Sequence, residues 1–380
     1  MSFKAKVLSI DGGGIKGIVP AMILAEIEDR TGKPICELFD LIAGTSTGGI
    51  LALGLTKPNQ DKTAPQFKAI DLVNLYKTQG SIIFQRRNTN TLHQITLSSV
   101  QSGLSILGIK DINIEDLYRT KYTRKGKEKI IDEYLGVTYL SEALTEVLIP
   151  SYATNLRLPF FFTSKPEKER EYQNSENFRI VCEGYKMQDA ALATSAAPTY
   201  FKPYPLDVYN HSEPRYTLVD GGVFANNPTS IAILEAINSY KIKTGESISL
   251  DEILVVSLGT GRKSRKLKTE DIYNWGQIKW IEPLINMVLN GQSEVVDYQM
   301  EQLLSTKLPR GIQDRQYYRF QIQYPEIDLD NKKASLDNLL NVNDALDDTS
   351  KYNIDSLQEI ARKFLRMEKN KLDLICELLT

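Results

Sequence analysis

Histidine and cysteine are scarce in this 380-residue sequence, which contains two histidines and three cysteines. The cysteines, Cys36, Cys182 and Cys376, are far apart and odd in number, so they favour neither a disulfide framework nor a metal site. We expect them to be reduced and mostly buried, and we expect no bound metal. The histidines, His93 and His211, also restrict catalysis, because any site with an imidazole base would have to use one of them.

The sequence also lacks an excess of either charge and a long hydrophobic run. Its 46 basic and 48 acidic residues give a net charge of −2, which argues against the strong positive field of a DNA- or RNA-binding protein. No run reaches the roughly 18 apolar residues of a membrane span. The N-terminus, MSFKAKVLSIDGGG, lacks the continuous apolar core and cleavage site of a signal peptide. These absences predict a soluble cytoplasmic protein.

What the sequence does contain is a repeated order of strand, glycine turn and helix. The apolar run KVLSI leads into DGGGIKG and then into IVPAMILAEIEDRTGKP, whose Pro20, Gly32 and Pro34 suit the start and end of a helix. FDLIAG then predicts a second strand and GGILALGL a second helix, joined by GTSTGG. Two such units in succession favour an α/β fold with a mainly parallel sheet covered by helices.

The later apolar runs define the expected core domain. LPFFFTS (158–164), YTLVD (216–220) and EILVVSLGTG (252–261) predict strands, and the last of them is expected to close the sheet. A core of residues 1–261 follows. Within it, residues 80–130 are expected to form an irregular cap or lid, which includes the basic stretch KYTRKGKEK.

Residues 262–380 are expected to form a mainly helical extension packed on the core. This segment starts with the basic stretch RKSRKLK and continues with an apolar series at helical spacing over residues 278–289. Residues 353–379 read as one long amphipathic helix, with Leu357, Ile360, Phe364 and Met367 on one stripe. That stripe could pack against the core or against a second subunit in a homodimer.

A serine lies between glycines at the joint of the second strand and the second helix. Gly44, Ser46 and Gly48 match the G-x-S-x-G pattern of a nucleophile elbow, in which a tight turn lifts the serine hydroxyl clear of the sheet. The pattern alone is weak evidence, but here an apolar strand precedes it and a helical run follows. Ser46 is therefore the candidate nucleophile.

The first glycine loop, DGGGIKG, is a candidate oxyanion hole. The backbone N–H groups of Gly12, Gly13 and Gly14 lie at the start of a helix, where they could converge on a small anion. The alternative is a dinucleotide loop, because Gly12, Gly14 and Gly17 fit G-x-G-x-x-G. That alternative needs an acidic residue at the end of the second strand, where the sequence has Ser46 instead.

The base that would activate Ser46 has two candidates. Asp220 ends the strand YTLVD and precedes Gly221 and Gly222, so we expect it at the same edge of the sheet as Ser46. An aspartate with an ordinary pKa near 4 is a poor base, so this pairing requires that burial raise its pKa. The alternative is a Ser-His-Asp triad that uses His211, which lies in a polar loop.

Four motifs together resemble the patatin-like phospholipases: DGGGIKG, GTSTG, ATSAAPTYF (193–201) and DGG, in that order, over residues 6–261. The resemblance implies a three-layer α/β sandwich and a serine-aspartate dyad of Ser46 and Asp220, with Gly12, Gly13 and Gly14 as oxyanion hole. Lys16 matches the basic residue that the family carries after its glycines. We interpret Thr194 and Ser195 as structural, small residues that allow a helix end to pack closely.

The resemblance further implies hydrolysis of carboxylic esters in membrane glycerophospholipids through an acyl-enzyme, with no cofactor required. Such an enzyme would contact the inner face of the cell membrane peripherally. The chain length and layout also resemble bacterial patatin-like effectors of anti-phage defence, which cyclic oligonucleotides activate, so a cyclic oligonucleotide is a candidate ligand. The alternatives that remain are an α/β-hydrolase esterase that uses His211 and a non-catalytic nucleotide-binding module.

Overall fold

The computed structural model describes residues 3–86, 120–207, 216–263, 269–273, 275–305, 316–324 and 342–380. The strands of the described residues are β1 Ala5–Ile10, β2 Leu41–Gly44, β3 Glu146–Ala153, β4 Leu158–Thr163, β5 Arg179–Val181, β6 Tyr204–Leu206, β7 Tyr216–Asp220, β8 Ile253–Leu258, β9 Arg262–Lys263, β10 Tyr317–Phe320 and β11 Gln323–Tyr324. The α-helices are α1 Ile18–Thr31, α2 Ile35–Leu38, α3 Thr47–Thr56, α4 Ala69–Ile83, α5 Arg124–Leu135, α6 Pro166–Tyr172, α7 Met187–Thr194, α8 Gly222–Ala225, α9 Thr229–Thr244, α10 Thr269–Ile272, α11 Gln277–Ser305, α12 Lys351–Met367 and α13 Lys369–Leu379. Short 3-10 helices span Gly14–Gly17, Leu140–Glu142 and Leu250–Glu252.

The described strands form one large sheet of nine strands and a separate pair, β9 with β11. The main path runs β10-β8-β1-β2-β3-β4-β5, and β7 joins it at β3 and carries β6. The neighbours from β10 to β3 are all parallel, whereas β4 and β7 are antiparallel to β3. The predicted α/β architecture with a mainly parallel sheet is confirmed.

The central strands are buried on both faces, which makes the molecule three-layered. Leu8 and Ile10 of β1 pack in the hydrophobic core formed with α1, α3 and α4. Ala5 and Val7, which alternate with them along the same strand, pack in a second core with α9 and α11. Because successive side chains of a strand point to opposite faces, a near-continuous apolar strand requires helices on both sides.

The sheet extends beyond residue 261, where the sequence predicted its last strand. β10 (Tyr317–Phe320) pairs in parallel with β8 and forms the edge of the sheet. Its sequence, YYRF, is four residues long with an arginine at the third position, too short and too mixed to give a strand signal. The segment expected to be a helical extension therefore supplies a strand of the core sheet.

The ends of the expected irregular cap are helical. Helix α4 continues to Ile83, and the basic stretch 121–129 leads into α5, whereas residues 87–119 lie outside the described residues. The predicted single C-terminal helix is two helices, α12 and α13, with a break at Glu368. Leu357 and Ile360 are buried in the core beside α1, but Met367 is 73% exposed, so the apolar stripe ends before the helix does.

None of the helices that the structure describes is both long enough and apolar enough to cross a bilayer. His93 and His211 lie outside the described residues, as do residues 264–268 of the basic stretch RKSRKLK.

Candidate active site

Ser46 lies in the tight turn between β2 and α3. Its backbone has φ 53° and ψ −117°, a conformation that costs energy in a residue with a side chain and is typical of functional sites. A Cβ atom on Gly44 would overlap the carbonyl of Gly48, and one on Gly48 would overlap the carbonyl of Ile10. Only glycine fits at these two positions, as the tight turn of a nucleophile elbow requires.

Asp220 reaches Ser46 from the opposite direction. β4 covers one edge of β3, and the other edge pairs with β2 at residues 146–148 and with β7 at residues 151–153. β2 is parallel to β3 and β7 is antiparallel to it, so these two strands approach each other end to end. Ser46 follows the last residue of β2 and Asp220 is the last residue of β7, so both lie where the two strands meet.

The two side chains are hydrogen-bonded. Ser46 Oγ donates to Asp220 Oδ2 at 2.6 Å, and the Gly222 N–H donates to the other carboxylate oxygen at 2.8 Å. Burial raises the pKa of Asp220 to about 6, although these hydrogen bonds and the charge of Lys127 act to lower it. An aspartate needs a raised pKa of this kind to act as a base for a serine hydroxyl.

The segment ATSAAP, which begins in the last two residues of α7, holds both of these residues. Thr194 Oγ1 accepts the N–H of Ser46 at 2.9 Å and donates to the Pro150 carbonyl at 2.5 Å. The carbonyl oxygens of Ala196 and Thr194 accept the N–H groups of Asp220 and Gly221 at 3.0 and 3.3 Å. The structural interpretation of Thr194 was therefore incomplete, because its hydroxyl bridges two strands and fixes the amide of Ser46.

One of the three amides expected to form the oxyanion hole already has a hydrogen-bond partner. The Gly12 N–H donates to the carbonyl of Asn226 at 3.0 Å, so it is not free for an oxyanion, which corrects the expected set. Gly13 precedes and Gly14 begins a 3-10 helix, where N–H groups have no intrahelical partner. Both line the same cavity as Ser46, and Gly14 has φ 60°.

A buried ion pair that the sequence did not indicate anchors the start of the loop. Arg319 of β10 donates to both carboxylate oxygens of Asp11 at 2.8 and 2.5 Å, and also to Ser257 Oγ at 2.8 Å. The arginine and the aspartate are 6% and 2% exposed. This ion pair fixes the direction in which the chain leaves β1. The sequence did not predict the pair because it did not predict β10, the strand that carries Arg319.

The remaining motif residues have packing roles. Burial lowers the pKa of Lys16, and the charge of Asp344 opposes this. A Cβ atom would overlap a neighbouring group at each of the other motif glycines, Gly17, Gly221 and Gly222. Asp40, which precedes β2, accepts the N–H of Lys6 near the start of β1, whereas the glycine loop follows the other end of β1.

An apolar cavity of about 330 Å³ opens above Ser46 and Asp220. Most of its lining is aliphatic or aromatic: Ile50, Tyr76, Ile83, Phe84, Tyr200, Phe201, Val223, Leu284, Ile285, Val288, Leu289 and Leu346. A site of this shape excludes water and accommodates a hydrocarbon chain.

Known proteins are similar to this sequence over most of the chain. The family model described as patatin-like phospholipase matches residues 8–233. The chain belongs to the patatin-like phospholipase family. It is 30% identical to Patatin-like protein 2 of Oryza sativa subsp. indica, over 97% of this chain and 85% of the relative, and 31% identical to Patatin-T5 of Solanum tuberosum, over 95% and 89%.

Membership of this family supports a lipid acyl hydrolase activity. Another relative from Solanum tuberosum, 32% identical over 77% of this chain and 72% of its own length, is named a probable inactive patatin. Family membership therefore does not by itself establish catalysis, which depends on the residues of the site.

Two charged side chains line the described part of the cavity, Asp220 and Lys127. Lys127 lies on α5 and is 2% exposed, and sequence reasoning had treated it as part of a basic stretch. One signal could have found it: Lys127 is three and four residues before Ile130 and Ile131, which are both buried. It therefore occupies the apolar face of an amphipathic helix, where a lysine is unusual.

Proposed function

We propose that this protein hydrolyses the carboxylic esters of membrane glycerophospholipids, with Ser46 as nucleophile and Asp220 as its base. The observation that carries the proposal is the 2.6 Å hydrogen bond from Ser46 Oγ to a buried Asp220 carboxylate beside an apolar cavity. Burial that raises the pKa of Asp220 to about 6 makes this carboxylate a better base than an exposed aspartate.

In the first half of the reaction, Ser46 Oγ attacks the ester carbonyl carbon and its proton passes to Asp220 Oδ2. The carbonyl oxygen becomes an oxyanion, and we propose that the N–H groups of Gly13 and Gly14, which line the cavity, donate to it. When this intermediate collapses, the bond to the leaving alcohol breaks and Asp220 returns the proton to that alcohol. The product is an acyl-enzyme on Ser46.

In the second half, water enters the position that the alcohol has left. Asp220 accepts a proton from this water while the oxygen attacks the acyl carbon, and the same amides stabilise the second oxyanion. The bond to Ser46 Oγ then breaks, Ser46 regains its proton from Asp220, and a fatty acid is released. Each proton taken in one step is returned in the next, so the cycle requires no metal and no cofactor.

The acyl chain of the substrate would occupy the apolar cavity. Leu284 and Val288 of α11 line the cavity and are 54% and 43% exposed, so the apolar lining continues to the surface. We propose that this part of α11 meets the phospholipid surface peripherally, which would let a lipid pass from the membrane into the cavity without crossing water.

Fatty acid release from mixed phospholipid vesicles tests the proposal. Ser46→Ala and Asp220→Ala should each lose about a thousandfold in rate or more, whereas His211→Ala should stay active. Leu284→Glu should slow the reaction on vesicles more than it slows the reaction with a serine-directed fluorophosphonate, since that small reagent needs no membrane contact. An active Asp220→Ala variant combined with a dead His211→Ala variant would replace the dyad by a triad.

The same assay addresses the remaining hypotheses. A cyclic oligonucleotide that raises the rate would identify an activator and support a role in anti-phage defence, and a panel without effect would eliminate that hypothesis. A wild-type protein that neither releases fatty acid nor reacts with the fluorophosphonate, yet binds a dinucleotide, would establish the non-catalytic binding module.

A further inference from the structure

Lys127 is a buried cation that the proposed mechanism leaves unused. Its ammonium group donates to the carbonyl oxygen of Ser195 at 2.8 Å and to the Ser195 hydroxyl at 3.1 Å, and it lies 3.8 Å from the ring centre of Phe201. Within the described residues it forms no ion pair with a carboxylate. A buried charge without a counter-ion is costly, so its presence beside Ser46 and Asp220 calls for a function.

The hydrogen bonds of Lys127 connect it to both proposed catalytic residues through Ser195 and the two neighbours of Ser195. Ser195 lies between Thr194, whose hydroxyl accepts the Ser46 N–H, and Ala196, whose carbonyl accepts the Asp220 N–H. The Ser195 hydroxyl is also fixed, because it donates to the Ala191 carbonyl of α7 at 2.6 Å. Lys127 thus binds Ser195, the middle residue of the turn at residues 194–196. The two outer residues of that turn accept the N–H groups of Ser46 and Asp220.

The charge of Lys127 also acts on Asp220, more strongly than on Glu128, the other carboxylate that influences it. Burial lowers the pKa of Lys127 to about 7. The negative charge of Asp220 is the largest of the influences that oppose this lowering. On the same helix Arg124 and Glu128 form an ion pair with each other. The charged residues of the helices packed against α5 are bound elsewhere or face solvent: Asp71 and Lys77 on α4, and Asp189 on α7.

We propose that Lys127 is a positioning residue of the Ser46 and Asp220 pair: its ammonium group fixes the turn at residues 194–196, and its positive charge keeps Asp220 ionised and able to accept the serine proton. This inference rests on the proposed function. Lys127 does not touch the reacting atoms in this role, and it acts through Ser195 and through the electrostatic potential at the carboxylate.

The experiment measures the rate of fluorophosphonate labelling and kcat/KM for a soluble short-chain ester between pH 5 and 9. The rate of the wild-type protein should fall as the pH falls through about 6, because Asp220 becomes protonated. Lys127→Met removes charge and hydrogen bonds, Lys127→Gln removes the charge but keeps a donor, and Lys127→Arg keeps the charge. Lys129→Met is the matched control, an exposed lysine on the same helix.

The acid limb of the profile should move to higher pH by about half a unit or more in Lys127→Met and Lys127→Gln, because a nearby positive charge lowers the pKa of a carboxyl group. It should stay in place in Lys127→Arg and Lys129→Met. At pH 8.5, where Asp220 is ionised in every variant, Lys127→Gln should be faster than Lys127→Met, because only the glutamine can still hold Ser195.

An unchanged acid limb in folded Lys127→Gln would overturn the inference, and so would a shift in Lys127→Arg as large as that in Lys127→Met. Should Lys127→Met fail to fold, as judged by circular dichroism, the glutamine and arginine variants carry the test. A Ser46→Ala variant that keeps full activity would instead refute the proposed function itself, so the two failures are distinguishable.

Discussion

Two buried lysines, Lys168 and Lys127, lie at opposite ends of the parallel strands and differ in what surrounds them. Lys168 of α6, which is 1% exposed, forms ion pairs with Glu146 at the start of β3, at 2.8 Å, and with Glu235 of α9, at 2.6 Å. Lys127 lines the cavity with Ser46 and has a carbonyl, a hydroxyl and an aromatic ring as neighbours. Lys168 has two counter-ions, and Lys127 has none within ion-pair distance among the described residues.

The ion-paired charge of Lys168 stabilises the fold, whereas the charge of Lys127, which has only neutral partners, lowers its stability. A buried ion with direct counter-ions is strongly bound, and removing one partner leaves uncompensated charges. A buried ion with only neutral partners costs free energy and is retained where it has another use. The amino end of the sheet carries the first kind, and the carboxyl end, where ligands bind in many open α/β sheets, carries the second.

The largest effect is expected for Lys168→Met. The substitution leaves the carboxylates of Glu146 and Glu235 buried without their shared cation, which should lower the free energy of unfolding by about 3–5 kcal/mol. The measurement is urea unfolding at pH 7, followed by circular dichroism. The folded fraction should react with the fluorophosphonate at the wild-type rate, because the cluster is remote from Ser46. A variant as stable as the wild type would show that the cluster does not stabilise the fold.

Asp220→Asn should have a smaller effect of the opposite sign. The folded-state pKa of Asp220 is raised above its ordinary value of 3.8 to about 6, so its contribution to stability is fully present below pH 3.8 and is lost as the pH rises through 6. A neutral amide avoids this loss, so the variant should be about 1–3 kcal/mol more stable at pH 8 and inactive. An Asp220→Asn variant less stable than the wild type at pH 8 would show that the charge of Asp220, like that of Lys168, stabilises the fold.

A third effect, similar in size to that of Asp220→Asn, is a change in the pH dependence of stability in Lys127→Met. Burial depresses the pKa of Lys127 from 10.5 to about 7, so the stability of the wild type should increase as the pH rises from 7 towards 10.5. The part of this increase that comes from Lys127, about 1–3 kcal/mol, should be absent in the methionine variant. The midpoint of urea unfolding at pH 7 and pH 9.5 measures it for both proteins, with Lys129→Met as the exposed control. Equal slopes for all three would contradict a depressed pKa at Lys127.

The parts of the molecule that could be predicted from sequence are those whose pattern is local. The strand at KVLSI, the helix that ends at Gly32 and the turn around Ser46 all follow from apolar periodicity and turn chemistry within some 15 residues. Asp220 could be proposed because it ends an apolar strand before two glycines. The glycine loop was recognised by the same means, but its donor set was not, since the Gly12 amide is bound by Asn226, 214 positions further along the chain.

Long-range pairing decided the rest. The sequence by itself determined the candidate nucleophile and base, Ser46 and Asp220, and the strand ends that hold them. Only the tertiary structure decided that β7 would fill the free edge of β3 beyond β2, so that an antiparallel strand delivers Asp220 to Ser46. It also brought Arg319 to Asp11 and Lys127 to Ser195, 308 and 68 residues apart. The physical reason is that strand pairing and charge burial depend on which edges and faces the rest of the chain leaves free, and no window of sequence contains that information.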